Sequence, residues 1–354
     1  MQSFYLGKKV LITGHTGFKG GWLARLLHTW GARVIGISLP AISEPNLFSV
    51  TGLKDAVSHY EADINDEQAI VDIFKKENPE IVFHLAAQAL VRDSYDRPEY
   101  THRTNVLGTA HVLRAIRETP TVRSAVIITT DKVYHNDERG NPYKETDALG
   151  GNDPYSASKA AADIITSSYI HSFLHPQKYG SHHTTLVATG RSGNVFGGGD
   201  WSEDRLIPDI IRAIYNKNEA VIIRNPNAVR PWQHVLEPTA GYMQLAKKLY
   251  EGETAYAGAW NFGPHDAVSC TVEEMVQRAH AILGKGSYVV VPDVAKHEAG
   301  LLRLDSSKAR ERLGWSPKLD LATSLQWTFD WYRAHYENQG ALALMDKQIK
   351  EYFG

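Results

Sequence analysis

Six short apolar runs, rich in valine and isoleucine, constrain the fold more than any other feature of this chain. They span 8–14, 32–39, 57–64, 81–87, 124–130 and 184–190. Continuous apolar runs of this length are typical of strands that are covered on both faces. Helical patterns at 18–30, 66–78, 104–118 and 154–174 lie between these runs. This order predicts an α/β fold built on a doubly wound parallel sheet.

The second half of the chain, from about 191, is less regular and richer in Gly, Pro and Trp. Helical patterns recur near 204–216, 237–251, 272–283 and 306–313. A chain of 354 residues exceeds what a single core usually fills, so about two lobes are expected. We therefore expect the loops of the second half to build a smaller substrate-binding lobe.

The charge balance argues against two classes of partner. With 38 Lys plus Arg against 40 Asp plus Glu, the net charge is -2, which gives no basic footprint for nucleic acid or an anionic membrane.

The sequence shows no sign of export or of a membrane span. No apolar run approaches the ~20 residues that cross a bilayer, and no secretory signal is visible. Cys270 is the single thiol, and no Cys/His cluster suggests a metal. A cytoplasmic protein is expected.

A glycine loop follows the first predicted strand, in the sequence TGHTGFKGGW. Gly14, Gly17 and Gly20 lie three residues apart where a helix is predicted to begin. The unpaired N–H groups of a helix N-terminus attract phosphate, and glycines let a pyrophosphate come close. An ordinary turn would also use Gly, but the position between a strand and a helix favours dinucleotide binding.

The second strand does not end on the acidic residue that commonly binds the ribose of NAD. It ends as RVIGISLP, with Ser38 at the corresponding position. No Arg follows closely to hold a 2′-phosphate, so NAD is favoured over NADP. Lys19 and Arg33 are the nearby basic residues, and both are predicted to be solvated surface charges.

Tyr155 and Lys159 lie four residues apart, directly after Pro154, in NDPYSASKAAAD. Proline suits the first position of a helix, and this spacing places both side chains on one face. A cation beside a tyrosine favours the phenolate, so the pair can make a general base. The alternative is a helix with an exposed Tyr and Lys.

Two further strand ends carry candidate site residues. The fifth strand leads into TTDKVY, which places Thr130, Asp131 and Lys132 at the edge where open α/β sheets bind ligands. The fourth strand leads into HLAAQ (84–88), a loop of small residues that a cofactor could approach closely. A tight turn between strand and helix remains the alternative for HLAAQ.

In this order along the chain, the motifs resemble the extended short-chain dehydrogenase/reductase family that acts on nucleotide sugars. The resemblance runs from KKVLITGHTGFKG through YSASK to LDSSKARERLGWSP, and GGNDPYSASK, RSGNVFGGGDWSEDRLIPDIIRA and HEAGLLRLD place it in the branch acting on CDP-linked glucose. It implies a tightly recycled NAD, a homodimer and a Rossmann-type domain. That domain would comprise 1–190 with a returning segment at about 230–262, and 191–229 with 263–354 would bind the nucleotide sugar.

The resemblance also implies individual roles. Tyr155 is the base with Lys159 as its cation, Thr130 holds the sugar 4-hydroxyl, and Asp131 protonates the departing 6-hydroxyl. Related dehydratases commonly have Glu as the C5 base where this chain has Lys132. Lys132 could act as that base if its pKa were lowered, or as a cation that stabilises an enolate. A lysine that only reaches solvent is the third possibility.

Cofactor and substrate contacts follow from the same resemblance. Besides Tyr155 and Lys159, the expected cofactor-binding residues are Gly14, His15, Thr16, Gly17, Phe18, Lys19, Gly20, Ser38, Asp63, Ile64, Leu85, Ala86, Ala87, Gln88 and Asn105. The expected substrate-binding residues are Asn194, Arg205, Arg230, Trp232 and His234. Arg is suited to phosphate oxygens, whereas packing is favoured over contact for His234, and Trp201 is a further candidate to cover the sugar or base.

Three functions remain open at this point. The first is 4,6-dehydration of a nucleotide sugar, for which Asp131 and Lys132 are the discriminating residues. The second is C4 epimerisation, which shares the glycine loop, Thr130, Tyr155 and Lys159 but needs no acid at C6. The third is a non-catalytic protein that senses a dinucleotide, which should show damage at these positions.

Overall fold

The computed structural model describes residues 1–137, 140–264, 269–291 and 302–354. The HEA sequence at 297–299, part of the resemblance, lies outside the described residues.

Within the described ranges, seven parallel strands form the central sheet, in the order β11-β6-β5-β4-β1-β2-β3. The sheet strands are β1 (Lys9–Thr13), β2 (Arg33–Ser38), β3 (Ser58–Glu61), β4 (Ile81–His84), β5 (Ser124–Ile128), β6 (Leu186–Ser192) and β11 (Gly258–Phe262). Three two-stranded sheets use β7 (Val195–Phe196), β8 (Val221–Ile223), β9 (Val229–Pro231), β10 (Gln233–His234), β12 (Ser269–Thr271) and β13 (Tyr288–Val290).

Helices cover both faces of the sheet and build most of the second half. They are α1 (Gln2–Tyr5), α2 (Phe18–Thr29), α3 (Leu47–Val50), α4 (Leu53–Ala56), α5 (Glu67–Glu77), α6 (Val91–Asp96), α7 (Pro98–His102), α8 (Gly108–Glu118), α9 (Pro154–Ser172), α10 (Leu206–Ile211), α11 (Leu236–Tyr250), α12 (Val272–Leu283), α13 (Leu321–Tyr336) and α14 (Ala341–Phe353). Segments of π-helix occupy Arg103–Leu107, Arg212–Lys217 and Ala309–Leu313.

The predicted Rossmann-type parallel sheet is confirmed, and all six predicted strands are present. Alternate residues of one strand serve opposite cores, since Val10 and Ile12 pack on one face and Leu11 on the other. This two-sided burial explains why the strands are continuous apolar runs. The helix predicted at 306–313 is present from residue 307 and is π-helical over Ala309–Leu313, whereas the sequence patterns missed α1, α3, α4, α6, α7, α13 and α14.

The seventh strand comes from the second half of the chain. After β6 the chain leaves the sheet, and α11 and β11 bring it back. β11 pairs with β6 in parallel register, with Trp260 opposite Gly190. The buried carboxylate of Glu237 on α11 accepts hydrogen bonds from Lys318 N and Tyr352 Oη, which fastens the C-terminal helices to this returning segment.

No helix within the described residues is both long and apolar enough to cross a bilayer.

Candidate active site

The glycine loop forms a narrow cradle at the start of α2. An added Cβ at Gly14 would lie 2.7 Å from Ala86 N, and one at Gly20 would lie 2.1 Å from Gly14 O. Both are too close for any side chain, and Gly14 also has a φ of +80°. No side chain caps the N-terminus of α2 at Gly17. The first backbone N–H groups of α2 therefore have no capping acceptor and face the cradle. These features fit the pyrophosphate of a dinucleotide.

The side chains of the loop point in different directions. Thr16 Oγ1 lies 2.7 Å from Ser38 Oγ and donates to Leu39 O, which ties the loop to the end of β2. His15 is fully buried, 2.8 Å from His59 Nδ1, and burial lowers its pKa to about 4. His15 therefore packs beneath the loop as a neutral imidazole, and only its backbone is available to a ligand.

Lys19 is not the solvated surface charge that the sequence predicts. Its Nζ donates to Ser192 Oγ at 3.1 Å, inside the cavity that holds the candidate catalytic residues. Burial, followed by repulsion from Arg205, lowers the pKa of Lys19 to about 7. The prediction failed because the end of β6 lies against Lys19, and sequence spacing gives no sign of that contact.

Asn105 ties the HLAAQ loop to α9. Its side chain accepts from Gln88 N at 2.8 Å and donates to Gln88 O at 2.9 Å and to Ser158 Oγ at 2.8 Å. Thr13 Oγ1 accepts from Leu85 N and Ala86 N, so the other end of the loop is held to β1. Buried Asn105 thus fixes this loop relative to the helix of Tyr155 and Lys159.

Two expected cofactor contacts follow β3. The Asp63 carboxylate accepts from the backbone and side-chain amides of Asn65. Ile64 is buried, and an added Cβ at Gly108 would lie 2.6 Å from its Cδ1. The half-buried Ala87 completes the row of small residues facing the glycine loop.

The first turn of α9 holds the Tyr/Lys pair. Asp153 caps the helix by accepting from Ser156 N at 2.9 Å, and Pro154 occupies its first position. Lys159 Nζ donates to Ile128 O at 2.8 Å. Burial lowers the pKa of Lys159 to about 8, although Asp163 acts in the opposite direction. Burial raises the pKa of Tyr155 to about 12, and a hydrogen bond with Thr130 opposes that rise.

Thr130 and Asp131 lie at the end of β5 as predicted. Thr130 Oγ1 donates to Asp131 Oδ1 at 2.9 Å, and both residues line the same cavity as Tyr155. Burial raises the pKa of Asp131 above its ordinary value, against the opposing effect of Lys132 and others. An added Cβ at Gly193 would lie 2.8 Å from Asp131 Oδ2, so only glycine lets the loop after β6 lie this close to the carboxylate.

A cavity of about 560 Å³ joins these groups to the predicted substrate residues. Its lining includes Thr130, Asp131, Lys132, Tyr155, Asn194, Arg205, Arg230 and Trp232. His234 is fully buried, with its ring packed against Trp22, and burial lowers its pKa to about 3. Trp201 packs against Trp331 in the core. The structure therefore places His234 and Trp201 outside the cavity.

A buried ion pair behind the site was missed by sequence reasoning. Arg191 forms two hydrogen bonds of 2.8 Å with Asp163, which also accepts from Thr129 Oγ1 at 3.0 Å. Asp163 follows Lys159 by four residues, so the helical spacing was a usable signal. Ser192 was also missed, although it ends β6 beside the residues that follow β5.

The arrangement brings together a tyrosine with a neighbouring cation, a hydroxyl and a buried carboxyl group. Such a set can remove a proton at one carbon and protonate a leaving group at another. Among the described residues, no group of three or more His, Cys, Asp or Glu side chains is suited to hold a metal ion.

A sequence model of the family described as GDP-mannose 4,6 dehydratase matches residues 11–328. The chain belongs to this family of nucleotide-sugar dehydratases. It is 43% identical over 352 residues to a CDP-glucose 4,6-dehydratase of Salmonella typhimurium, covering 99% of this chain and 98% of that protein.

Solved structures share the fold. DesIV, a dTDP-glucose 4,6-dehydratase from Streptomyces venezuelae with NAD and TYD bound, aligns with a TM-score of 0.78 at 23% identity, covering 94% of this chain and 98% of that one. A UDP-glucose 4-epimerase from Thermus thermophilus in complex with NAD also aligns with a TM-score of 0.78, at 24% identity, covering 92% of this chain and 98% of the other.

Proposed function

We propose that the protein is an NAD-dependent CDP-glucose 4,6-dehydratase that forms CDP-4-dehydro-6-deoxy-D-glucose. The observation that carries the proposal is Asp131, a buried carboxyl group hydrogen-bonded to Thr130 in the cavity of Tyr155. Loss of the 6-hydroxyl needs an acid, whereas epimerisation at C4 does not. The 43% identity over nearly the whole of both chains supports the choice of the CDP sugar.

The residues present fit NAD. The cradle of Gly14 and Gly20 leaves room for a pyrophosphate, and the unpaired N–H groups of α2 face it. Ser38 would hydrogen-bond the adenosine ribose, and the loop held by Asn105 would contact the nicotinamide end together with Tyr155 and Lys159. Bound NAD would supply a hydride acceptor for C4 of the sugar and, once reduced, a hydride donor for C6.

Tyr155 removes the proton of the 4-hydroxyl, which Thr130 orients. Lys159, one helical turn from Tyr155, is the proposed cation for the phenolate, and Thr130 and Arg205 oppose the burial that raises the pKa of Tyr155. Oxidation at C4 makes the hydrogen at C5 acidic. Asp131 then protonates the departing 6-hydroxyl, and its raised pKa suits a general acid.

The proton at C5 needs its own base, and Lys132 is the candidate. It lines the cavity directly beside Asp131. Lys132 either accepts this proton as an amine or stabilises the enolate as a cation. Lys132→Ala should abolish exchange of the C5 hydrogen with solvent under the first role, and slow it under the second. Unchanged exchange and turnover would exclude both roles.

In this proposal Arg205 and Arg230 bind the sugar diphosphate, which is supported by their position in the lining of the cavity together with Asn194 and Trp232. Arg205 NH1 lies 3.5 Å from the buried Asp200 carboxylate, which holds the guanidinium at the cavity wall. The planar fork of Arg suits phosphate oxygens. In this proposal residues 191–229 and 263–354 bind the nucleotide sugar, while 1–190 with the segment at about 230–262 binds NAD.

A cytoplasmic homodimer is part of the proposal. Leu107 and Ile164 are 53% and 54% exposed, on the neighbouring helical segments that lead into α8 and form α9. A second copy of the chain would cover these apolar side chains. Sedimentation of the wild type and of Ile164→Glu tests this, because the substitution should give a monomer.

Mass spectrometry of the product tests the main proposal. The protein is incubated with NAD in deuterated water and, in separate reactions, with CDP-, UDP-, GDP- and dTDP-glucose. Loss of one water with gain of one deuterium, fastest for CDP-glucose, is expected. Unchanged mass with a C4 epimer on chromatography would identify an epimerase, and no change of any kind would identify a binding protein.

A further inference from the structure

Lys19 brings an ammonium group into the cavity from the first turn of α2. Its Nζ donates to Ser192 Oγ at 3.1 Å. The same serine oxygen accepts from Tyr242 Oη at 2.7 Å, so both of its lone pairs are occupied. Tyr242 is itself buried, and an added Cβ at Gly190 would lie 2.8 Å from its ring. A closely packed hydroxyl pair at the end of β6 therefore fixes the position of the ammonium group.

This position lies between the cradle and the candidate catalytic residues. Lys19 directly precedes Gly20 of the cradle, whereas Ser192 ends β6, the neighbour of β5 in the sheet. The sheet order β6-β5-β4-β1 places the ends of β4 and β5 between these two points. A cofactor whose pyrophosphate lies in the cradle must extend its nicotinamide toward Tyr155, at the end of β5. Lys19 and Tyr155 line the same cavity, so Lys19 borders the space that the nicotinamide would occupy.

The charge of Lys19 has no counter-ion in contact with it among the described residues. Its hydrogen-bond partner is a hydroxyl, and no carboxylate in those ranges forms an ion pair with it. The carboxylates that line the cavity each have another partner, namely Thr130 for Asp131, Arg205 for Asp200, Arg224 for Asp204 and Arg212 for Asp209. Lys19 therefore adds an uncompensated positive charge to the cavity.

Resting on the proposed NAD-dependent function, we infer that Lys19 sets the redox balance of the bound cofactor by placing a positive charge at its nicotinamide end. Uptake of a hydride converts a positively charged ring into a neutral one. A nearby cation repels the charged ring alone, so Lys19 weakens binding of the oxidised cofactor relative to the reduced cofactor. Lys19 thereby favours oxidation at C4 of the sugar and helps to keep the hydride on the cofactor while the 6-hydroxyl leaves.

A lysine at this place could instead contact a phosphate group. Oxidised and reduced cofactor carry the same pyrophosphate, so such a contact would strengthen binding of both forms equally. The hydrogen bond to Ser192 directs Nζ toward the end of β6, away from the cradle formed by Gly14 and Gly20. The ratio of the two affinities therefore distinguishes a cation at the nicotinamide from a cation at the pyrophosphate.

The test measures the dissociation constants of NAD and NADH for the cofactor-free wild type, Lys19→Met and Lys19→Arg. Titrations are made at about pH 6, below the pKa of Lys19, so that its amine is protonated. Quenching of protein fluorescence reports binding of both forms, and circular dichroism shows whether each variant is folded. Methionine keeps the length of the side chain without its charge, whereas arginine keeps the charge. Lys347→Met, an exposed lysine on α14, is the matched control.

Lys19→Met should bind NAD about 10–100-fold more tightly than wild type, as expected for removal of one nearby charge, while the affinity for NADH changes much less. Each tenfold change in the ratio of the two dissociation constants lowers the midpoint potential of the bound couple by about 30 mV. Lys19→Arg and Lys347→Met should keep the ratio of the wild type. If Lys19→Met does not fold, Lys19→Gln replaces it with the same expectation.

An equal change in affinity for both forms would overturn the inference and identify Lys19 as a phosphate contact. Unchanged affinities would also overturn it, because the charge would then lie too far from the ring. Failure of the proposed function gives a different result. A wild type that binds neither form, or that makes no product lighter by one water, would contradict NAD-dependent dehydration itself.

Discussion

Arg191 donates two parallel hydrogen bonds of 2.8 Å to Asp163, which lies one helical turn beyond Lys159 on α9. Both side chains are almost completely buried. Arg191 NH1 also donates to the Tyr134 hydroxyl at 2.7 Å, and that hydroxyl donates to Asn261 Oδ1 at 2.7 Å. The pair therefore joins α9 and β6 to the returning strand β11, behind the candidate catalytic residues.

Removing one partner of this pair should destabilise the fold. Arg191→Met leaves the Asp163 charge buried and unpaired, so we expect the free energy of unfolding to fall by about 3–5 kcal/mol. Asp163→Leu should have a comparable effect, and the double variant should lose less than the sum of the two. Urea unfolding measures all three. Single variants as stable as wild type would show that the pair contributes little.

Asn105 should control cofactor binding from a distance. Asn105→Asp keeps the acceptor for Gln88 N but cannot donate to Gln88 O or Ser158 Oγ. We expect NAD affinity to fall about tenfold, because loss of buried hydrogen bonds costs ~1–3 kcal/mol. Titration of NAD by protein fluorescence measures this effect. Asn78→Asp, an exposed amide at the C-terminus of α5, is the matched control and should bind NAD normally.

Gly193→Ala should impair elimination more than oxidation. The new methyl would press on Asp131 Oδ2 from 2.8 Å and displace the acid. We expect turnover to fall about 10–100-fold, with reduced cofactor accumulating during turnover. Gly150→Ala is the control, since its Cβ would meet His135 at an ordinary 3.6 Å. Equal loss of both steps in Gly193→Ala would point to general misfolding.

The partly buried charge of Lys19 should lower the free energy of unfolding by an amount that depends on pH. Its pKa of about 7 in the folded protein lies below the ordinary lysine value of 10.5. The penalty for burying the charge is therefore complete below pH ~7 and is relieved as pH rises toward the unfolded pKa. Lys19→Met should raise the free energy of unfolding of the cofactor-free protein at about pH 6 and raise it less at about pH 9. Urea unfolding at both pH values measures this, and an equal effect at both would contradict a buried cation.

Much of this site could be predicted because its residues follow short local rules. Strands buried on both faces must be apolar throughout, so β1, β2, β4, β5 and β6 appear in the sequence as continuous runs, whereas the edge strand β3 is polar and partly exposed. Tyr155 and Lys159 need only one turn of helix to come together, and Pro154 marks where that helix begins. Thr130 and Asp131 follow from the rule that ligands bind at strand ends.

The failures concern contacts between distant parts of the chain. Lys19 is partly buried because Ser192, at the end of β6, lies against it, and Trp201 lies in the core because α13 packs against it. Neither contact leaves a periodic signal, because each joins residues that are more than 100 positions apart in the sequence. The aromatic residues of α13, including Trp331 and Tyr332, are buried by the same loops, so the pattern of that helix was not recognised.

The late arrival of β11 also affects biosynthesis. When β6 leaves the ribosome, its seven residues form an unpaired edge that is buried only after Gly258–Phe262 has been translated. Exposed apolar edges of this kind are sites where nascent chains pair wrongly with one another. The order of synthesis therefore leaves the sheet of the first six strands prone to aggregation until β11 has been made and pairs with β6. We expect that shortening the time between synthesis of β6 and synthesis of β11 increases the yield of soluble protein.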